Sequence, residues 1–345
     1  IKVVQLQKKA GKAVLETYGE LALGPYAKME IGQATSLPTE KIIEALGDLM
    51  KEKEVNITTK VCGVAIPFAS SLMSIIEMPA LPYKQLASMI PLEARKYIPV
   101  PISEVVIDWS IIPKDDTKDD EPVDETAKPL AHTDVLLVAI HNETISRYTE
   151  IVAKTGLESS FFEIEIFSTM RSVLEQSNNP VMIVDMGAAT TKLYVVERGT
   201  VRNSHTINRG SQDITSTLSK SLGIPLHDAE LMKRGMGLTP EAGPHFEEIV
   251  NLVLSYVFSE INQVILNYQR KYKKTLSKVI LVGGGSSLKG IEALAQKNLQ
   301  IEVVAGNPFV KTEAPAFLEQ ILRETGPEFA VAVGVALRKL QEIEP

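Results

Sequence analysis

Two glycine-bearing segments, about a hundred residues apart, constrain this chain most. The first is Val181-Met-Ile-Val-Asp-Met-Gly-Ala-Ala-Thr-Thr-Lys192, which runs into a further apolar stretch ending near Gly199. The second is Lys278-Val-Ile-Leu-Val-Gly-Gly-Gly-Ser-Ser-Leu288, which runs into a helix-like stretch. Each opens as an apolar run of strand length and ends in a tight turn. In the first the pattern is strand, loop, strand, and the loop is small and hydroxyl-rich. Gly187 is read as permitting an unusual backbone conformation, and Ala188 and Ala189 as leaving room for a ligand near the main chain. Successive amides there form an anion cradle, with the hydroxyls of Thr190 and Thr191 as further donors. Asp185, at the strand end, is placed to hold a water of a magnesium ion, which keeps most of its waters when bound. In the second segment Gly283, Gly284 and Gly285 remove side chains where a flat base could lie. Either segment alone is a weak signal, because a D-x-G-x-x-T turn or a glycine triplet is commonly structural. The ordered pair, both on strand ends, is far more specific.

Bulk composition narrows the classes. A chain of 345 residues can hold two cores, and its net charge is -7. The segment 114–128 carries seven acids (Asp115, Asp116, Asp119, Asp120, Glu121, Asp124, Glu125) against three lysines, so it supplies four of those charges. It lacks the order of a calcium loop and is expected to be a mobile, solvated excursion without a functional site. Nothing marks a nucleic-acid surface, no apolar run reaches membrane-spanning length, and no signal peptide opens the chain. The single Cys62 sits in a strand-like run and is read as core, in a reducing compartment. The five histidines lack ligand spacing, so a metal cluster is not expected.

Periodicity places strands at 1–6, 13–23, 61–66, 72–78, 105–112, 133–140 and 161–167. Helical spacing runs over 39–53, with Thr39 as its cap, and over 83–97, 143–154 and 168–175. Pro91 is expected to kink or restart the second of these. Two short helices, 214–222 and 227–233, precede the longest one, 246–274, whose final turns carry Arg270, Lys271, Lys273 and Lys274. Those cations suit the helix dipole, and this reading is preferred to a binding patch. The chain closes with a strand at 301–304, a proline-bounded segment at 308–315 and a helix at 328–341.

The paired loops resemble the phosphate and adenosine motifs of the actin-like ATPase superfamily. Within it the chain resembles the PilM family of type IV pilus assembly proteins, relatives of the division protein FtsA. Asp185-Met-Gly-Ala-Ala-Thr-Thr-Lys192 matches the family's second phosphate strand pair, so the resemblance adds Lys192 to the site. Gly210-Ser-Gln-Asp-Ile-Thr215 with Ala229-Glu-Leu-Met-Lys233 is similar to the family's helices near ribose and base, which adds Gly210, Glu230 and Lys233. Val282-Gly-Gly-Gly-Ser-Ser-Leu288 matches the adenosine motif and adds Ser286. Leu92-Glu-Ala-Arg-Lys-Tyr-Ile-Pro99 with Ile107-Asp-Trp109 resembles the subdomain special to PilM and FtsA. One departure stands out: the family's first phosphate loop, roughly D-I-G-x-x-S-[IV]-K, survives only as Ile1-Lys2. A trimmed N-terminus is expected, with weaker ATP binding than an extended form.

The resemblance implies an α/β, actin-like ATPase (ribonuclease H-like) fold, with two domains flanking a nucleotide cleft and a small inserted α+β subdomain. Its expected bounds are 1–81 and 156–179 for the first domain, 82–155 for the insertion and 180–345 for the second domain, with a helical subdomain at 207–275. It further implies ATP and Mg2+ as cofactors, the metal held by Asp185 through water. No catalytic residue is assigned, and turnover is at most that of a slow ATPase. The expected partner is the cytoplasmic N-terminal segment of a PilN-like inner-membrane protein, docked near 83–97 and 105–112. The protein is then cytoplasmic, held at the inner face of the membrane through that partner, with self-association left open. The alternatives are an FtsA-like division protein, disfavoured by the acidic end of the chain, and a small-molecule kinase, disfavoured because 67–82 offers no catalytic Asp.

Overall fold

The computed structural model describes residues 1–113 and 132–342. The acidic segment 114–128 lies outside them. The described elements are, in order, β1 (Lys2–Lys9), β2 (Lys12–Glu20), α1 (Thr39–Lys51), β3 (Val61–Ile66), β4 (Ser71–Pro79), α2 (Tyr83–Glu93), β5 (Val105–Ile111), β6 (His132–His141), α3 (Asn142–Lys154), β7 (Glu158–Ile164) and α4 (Glu165–Val173). They continue as β8 (Val181–Met186), β9 (Thr191–Glu197), β10 (Thr200–Ile207), α5 (Ser211–Leu222), α6 (Leu226–Met236), α7 (Pro244–Tyr272), β11 (Lys278–Val282), α8 (Ile291–Leu299), β12 (Val303–Ala305), α9 (Glu319–Thr325) and α10 (Ala330–Glu342). The chain divides into two compact units, Ile66–Glu150 and the remainder, Ile1–Ala65 with Ile151–Pro345.

The larger unit contains a five-stranded sheet of order β10-β9-β8-β11-β12. β8 pairs antiparallel with β9 and parallel with β11. All six residues of β8 are buried, as suits a central strand covered on both faces. The β9–β10 turn falls on Arg198 and Gly199, both at positive φ, which matches the twist of a two-residue hairpin. One face of the sheet packs on α5 and α7. Phe246, Val250, Leu254, Val257, Ile261 and Tyr268 of α7 enter one core with Met182, Val184, Leu193 and Val195. Burying each such side chain contributes about 1.5–3 kcal/mol before conformational entropy is set against it. By length and composition α7 could cross a membrane, contrary to the expectation that no segment reaches that length. Its buried face is the inner wall of this core.

The same unit holds two two-stranded sheets, β1-β2 and β3-β7. β3 therefore pairs away from β4, although the two are separated only by a short turn. A core of Leu15, Phe309, Phe329 and Val333 lies under β1 and β2 with α10. At the crossing of α4 and α10, a β-carbon on Gly334 would lie 1.8 Å from the Ser168 carbonyl oxygen, so the helices meet backbone to backbone only because that position is bare. A cavity of about 900 Å3 opens between the 1–6 and 58–65 segments, lined also by α10. Cys62 lines it and is half-buried, where a core position was expected.

The smaller unit is a three-stranded antiparallel sheet, β4-β6-β5, covered by α2. Leu86, Ile90 and Ala94 pack on Ile76, Met78, Val135 and Leu137. α2 runs through Pro91 without restarting. Two sequence boundaries shift. Thr39 is the first residue inside α1, with Pro38 in the cap position. The strand expected at 161–167 ends at Ile164, and Glu165 already begins α4.

Candidate functional site

The parallel register of β8 and β11 sets Val282 beside Asp185, so both glycine-bearing loops leave the sheet side by side. The contact is close. A β-carbon on Gly283 would lie 2.4 Å from Asp185 Oδ1, and one on Gly285 would lie 2.8 Å from Met186 Cβ. Gly283 also holds a φ of 83°, which L side chains rarely adopt. Two of the three glycines are thus required by packing against the first loop. Gly284 differs: a β-carbon there meets only ordinary contacts, 3.8 Å from the Glu328 carboxyl carbon.

In the first loop, Gly187 is not at positive φ. Its smallness is needed because a β-carbon would lie 2.9 Å from the Thr190 carbonyl oxygen. The Gly187 amide donates to that same oxygen and closes the turn, at 2.9 Å. The Gly187 and Ala188 carbonyls accept from the amides of Ser211 and Gln212, the first residues of α5. The helix N-terminus is therefore satisfied by the loop. Gly210 makes this approach possible, since a β-carbon there would lie 2.3 Å from the Ala188 oxygen. Asp213 caps the same turn, accepting from the Gly210 amide at 2.8 Å. The amides of Ala188, Ala189 and Thr190 donate to no described carbonyl. Thr191, expected as a hydroxyl donor to ligand, is fully buried and donates to the Arg209 carbonyl at 2.9 Å. Ser286 likewise turns its hydroxyl onto the Gly283 carbonyl at 2.7 Å.

Asp185 is nearly buried, and Lys192 on the neighbouring strand reaches it at 3.4 Å. Lys192 binds Glu165 more closely, at 2.7 Å. Burial pulls the Lys192 ammonium down, but Asp185 and Glu165 outweigh it and hold its pKa above the usual lysine range. The lysine is a fixed charge that orients Asp185. One carboxylate at a strand end fits a magnesium ion that keeps its waters and takes phosphate oxygens. Among the described residues no group of three or more His, Cys, Asp and Glu side chains forms a cage for a dehydrated cation.

Glu230 and Lys233 stand one turn apart on α6 and are paired at 2.7 Å. Glu230 also accepts from Thr215 Oγ1 at 2.6 Å and from Arg234 Nε at 2.7 Å. Burial pushes the Glu230 carboxyl up, but the hydrogen bonds from Lys233 and Thr215 outweigh it and hold it below the ordinary value. Burial pulls Lys233 down against the pull of Glu230. Gly32, at φ 91°, passes so close that a β-carbon would lie 2.5 Å from the Glu230 carboxyl carbon.

Sequence reasoning missed several of these neighbours. Glu165 was hidden inside an expected strand, although an acid at a helix start was its signal. Glu328 accepts from Ser287 Oγ at 3.1 Å beside Gly284. Gln212 accepts from the Ala34 amide at 2.9 Å, and like Gly32 this contact had no local signal. The cavity near β1 reaches Glu165 and Glu328, but neither it nor the cavity of about 870 Å3 near Lys311 is lined by the expected site residues.

A profile of the family described as type IV pilus assembly protein PilM matches residues 1–340. A solved PilM-PilN type IV pilus biogenesis complex aligns with a TM-score of 0.79 and 22% identity, over 100% of this chain and 96% of that one. The cell division protein FtsA of Neisseria meningitidis serogroup B is 26% identical over 227 residues, 59% of this chain and 53% of its own length. FtsA of Escherichia coli K12 is 23% identical over 239 residues, 58% of this chain and 54% of its own. The chain spans about half the length of these curated relatives. The chain shares the fold of that solved complex, and its larger unit carries the five-stranded order described above.

Proposed function

This chain belongs to the family of type IV pilus assembly protein PilM, and from that premise we propose that it is an ATP- and magnesium-binding subunit of pilus assembly. Its partner in this reading is the short cytoplasmic N-terminal segment of a PilN-like inner-membrane protein, which holds it at the inner face of the membrane. The observation that carries the nucleotide half is the meeting of Asp185 with Gly283 across two parallel strands. The amides of Ala188, Ala189 and Thr190 cradle phosphate, and Asp185, oriented by Lys192, holds a magnesium water. Gly284, where a β-carbon would meet only the Glu328 carboxylate at ordinary distance, lies on the base side. Glu230 and Lys233 face the ribose or base, with Arg234, largely exposed, paired to Glu230 from outside. Magnesium, when bound, neutralises phosphate charge. No water-activating side chain is assigned, and the nucleotide's role is to set conformation. The kinase and division-protein readings are not favoured, because the matching profile is that of the pilus family.

Gly284→Asp tests the base side. The position accepts a β-carbon, so the fold is kept while a carboxylate enters beside Glu328. ATP affinity should fall by about tenfold or more in calorimetry. Unchanged affinity would sink the assignment. A form extended ahead of Ile1 by an Asp-Ile-Gly loop is expected to bind ATP more tightly, and equal binding would remove that loop from the site.

For the partner, the smaller unit offers exposed Tyr83, Leu92 and Val106, at 66%, 61% and 52% exposure. It also offers β5 as an edge strand, to which an extended peptide can add by main-chain hydrogen bonds. Photoreactive groups along 83–112 should capture a PilN-like peptide, and capture only along 246–274 would move the groove to the other unit.

A further inference from the structure

The outer face of α7 carries charges and apolar groups arranged symmetrically about one residue. Glu248, Leu252, Ser259, Leu266 and Arg270 fall within about 40° of one line along the helix at 3.6 residues per turn. All five are exposed, Leu252 at 70% and Leu266 at 45%, and Tyr256 flanks them at 52%. Glu248 and Arg270 are each eleven residues from Ser259, and Leu252 and Leu266 each seven. The stripe is acidic at one end, basic at the other, apolar between, and small at its midpoint. Glu248 is exposed and lies 3.8 Å from His245.

We propose that α7 pairs antiparallel with α7 of a second copy of this chain, across a two-fold axis at Ser259. Reversing the helix direction about that residue lays Glu248 against Arg270 of the other copy, and Arg270 against its Glu248. Leu252 then meets Leu266 twice, and the two small serines let the helices approach at the crossing. A two-fold interface requires this kind of self-complementarity, because one surface must serve both sides. The intervals of four and seven keep these residues on one side of the helix. The flanking polar groups are already engaged within the fold: Glu260 with His205 at 3.2 Å, and Asn262 with the Asn298 carbonyl at 3.2 Å. They form a hydrated rim that does not oppose the pairing. Arg270 suits the helix dipole in the monomer as well, but the dipole does not account for two exposed leucines placed symmetrically about Ser259. A single helix pair lies at the small end of specific interfaces, so the dimer is weak and forms at high local concentration, as when a partner gathers copies on one surface. The inference is independent of the nucleotide assignment.

The test is charge exchange on the full chain, read by sedimentation equilibrium. Glu248→Arg and Arg270→Glu should each raise the dimer dissociation constant by about tenfold, since each sets two like-charge pairs in the interface. Mixed one to one, the two variants should dimerise as tightly as the parent, because every pair is again of opposite charge. Ser259→Cys, with Cys62 replaced by Ser, should give a disulfide-linked dimer on mild oxidation. Glu248, Ser259 and Arg270 are exposed, and melting temperatures serve as the control for folding, Cys62→Ser included. A chain that stays monomeric at every concentration overturns the proposal. So does a dimer indifferent to both reversals, or single variants that fail to rescue one another, since the stripe would then serve something other than a second copy.

Discussion

Two hairpins in the larger unit are built alike and supported differently. β1 and β2 turn on Ala10 and Gly11, and β9 and β10 turn on Arg198 and Gly199, all four at positive φ. Each hairpin has one register irregularity. The free edge of β9 is taken by β8, whose backbone pairs from Val181 to Met186. The corresponding edge of β1 pairs with no described strand and looks across the 900 Å3 cavity toward β3. There one buried side chain supplies the bridge. Gln5 donates to the Thr58 hydroxyl and to Glu16, each at 2.6 Å, and accepts from the amides of Thr58 and Thr59. A paired strand satisfies its neighbours through main chain, whatever its side chains. Where no strand pairs, a single amide of the right length does part of that work and leaves space. The first half of the unit should therefore depend on a few polar side chains far more than the second half does.

The largest expected effect is at Glu163 on β7. It takes both nitrogens of Arg171 at 2.7 Å and Arg338 at 2.9 Å, joining β7 to α4 and α10. Glu163→Ala leaves two arginines without their buried partner and should cost about 3–5 kcal/mol in urea unfolding. A loss below 1 kcal/mol, on the order of a surface pair, would contradict the dependence argued above. Next is Gly283→Ala, which forces a side chain into a left-handed position against Asp185. It should cost about 3 kcal/mol, from backbone strain plus overpacking. This is the counterpart test, because it strikes the second half through its backbone.

Gln5→Leu is smaller, about 2 kcal/mol, the cost of leaving buried amides unbonded. Hydrogen exchange should quicken at Thr58 and Thr59 while the β8–β9 ladder keeps its protection. Equal quickening in both would mean that the halves are not supported differently. The smallest effect is in acid. Burial pushes the Glu163 carboxyl up, but Arg171 and Ser168 outweigh it and hold it below the ordinary carboxylate value. Folding thus favours the ionised form. The resulting stability is present above the ordinary carboxylate value and is lost as pH falls through the lower folded one. Between about pH 6 and about pH 3 the parent should lose more stability than Glu163→Ala, and equal losses would remove Glu163 from the acid response.

Much of the fold was legible because its signals are local. β8 reads as a continuous apolar run, and α7 shows its buried face at helical spacing. The paired loops stood out in the sequence because they come in order and both end strands, although either alone is commonly structural. The roles within the site were less legible. Thr191 and Ser286 look like ligand donors in sequence, yet each hydroxyl is taken by a nearby carbonyl. Gly187 suggested an unusual conformation, and what it supplies is clearance. Residue type predicts that a group can donate or yield space, and only the packed neighbours decide to what.

The sequence by itself determined which stretches are strands and helices, and that two small-residue loops end two central strands, because hydrophobic period and backbone freedom act over a few residues. Tertiary structure alone decided the partners. It set Lys192 between Asp185 and Glu165, laid Gly32 against Glu230, and made Gln5 bridge β1 to the chain before β3. Those contacts join residues far apart in the chain. Their energies depend on burial and on distances of about 3 Å, which exist only once the elements have packed.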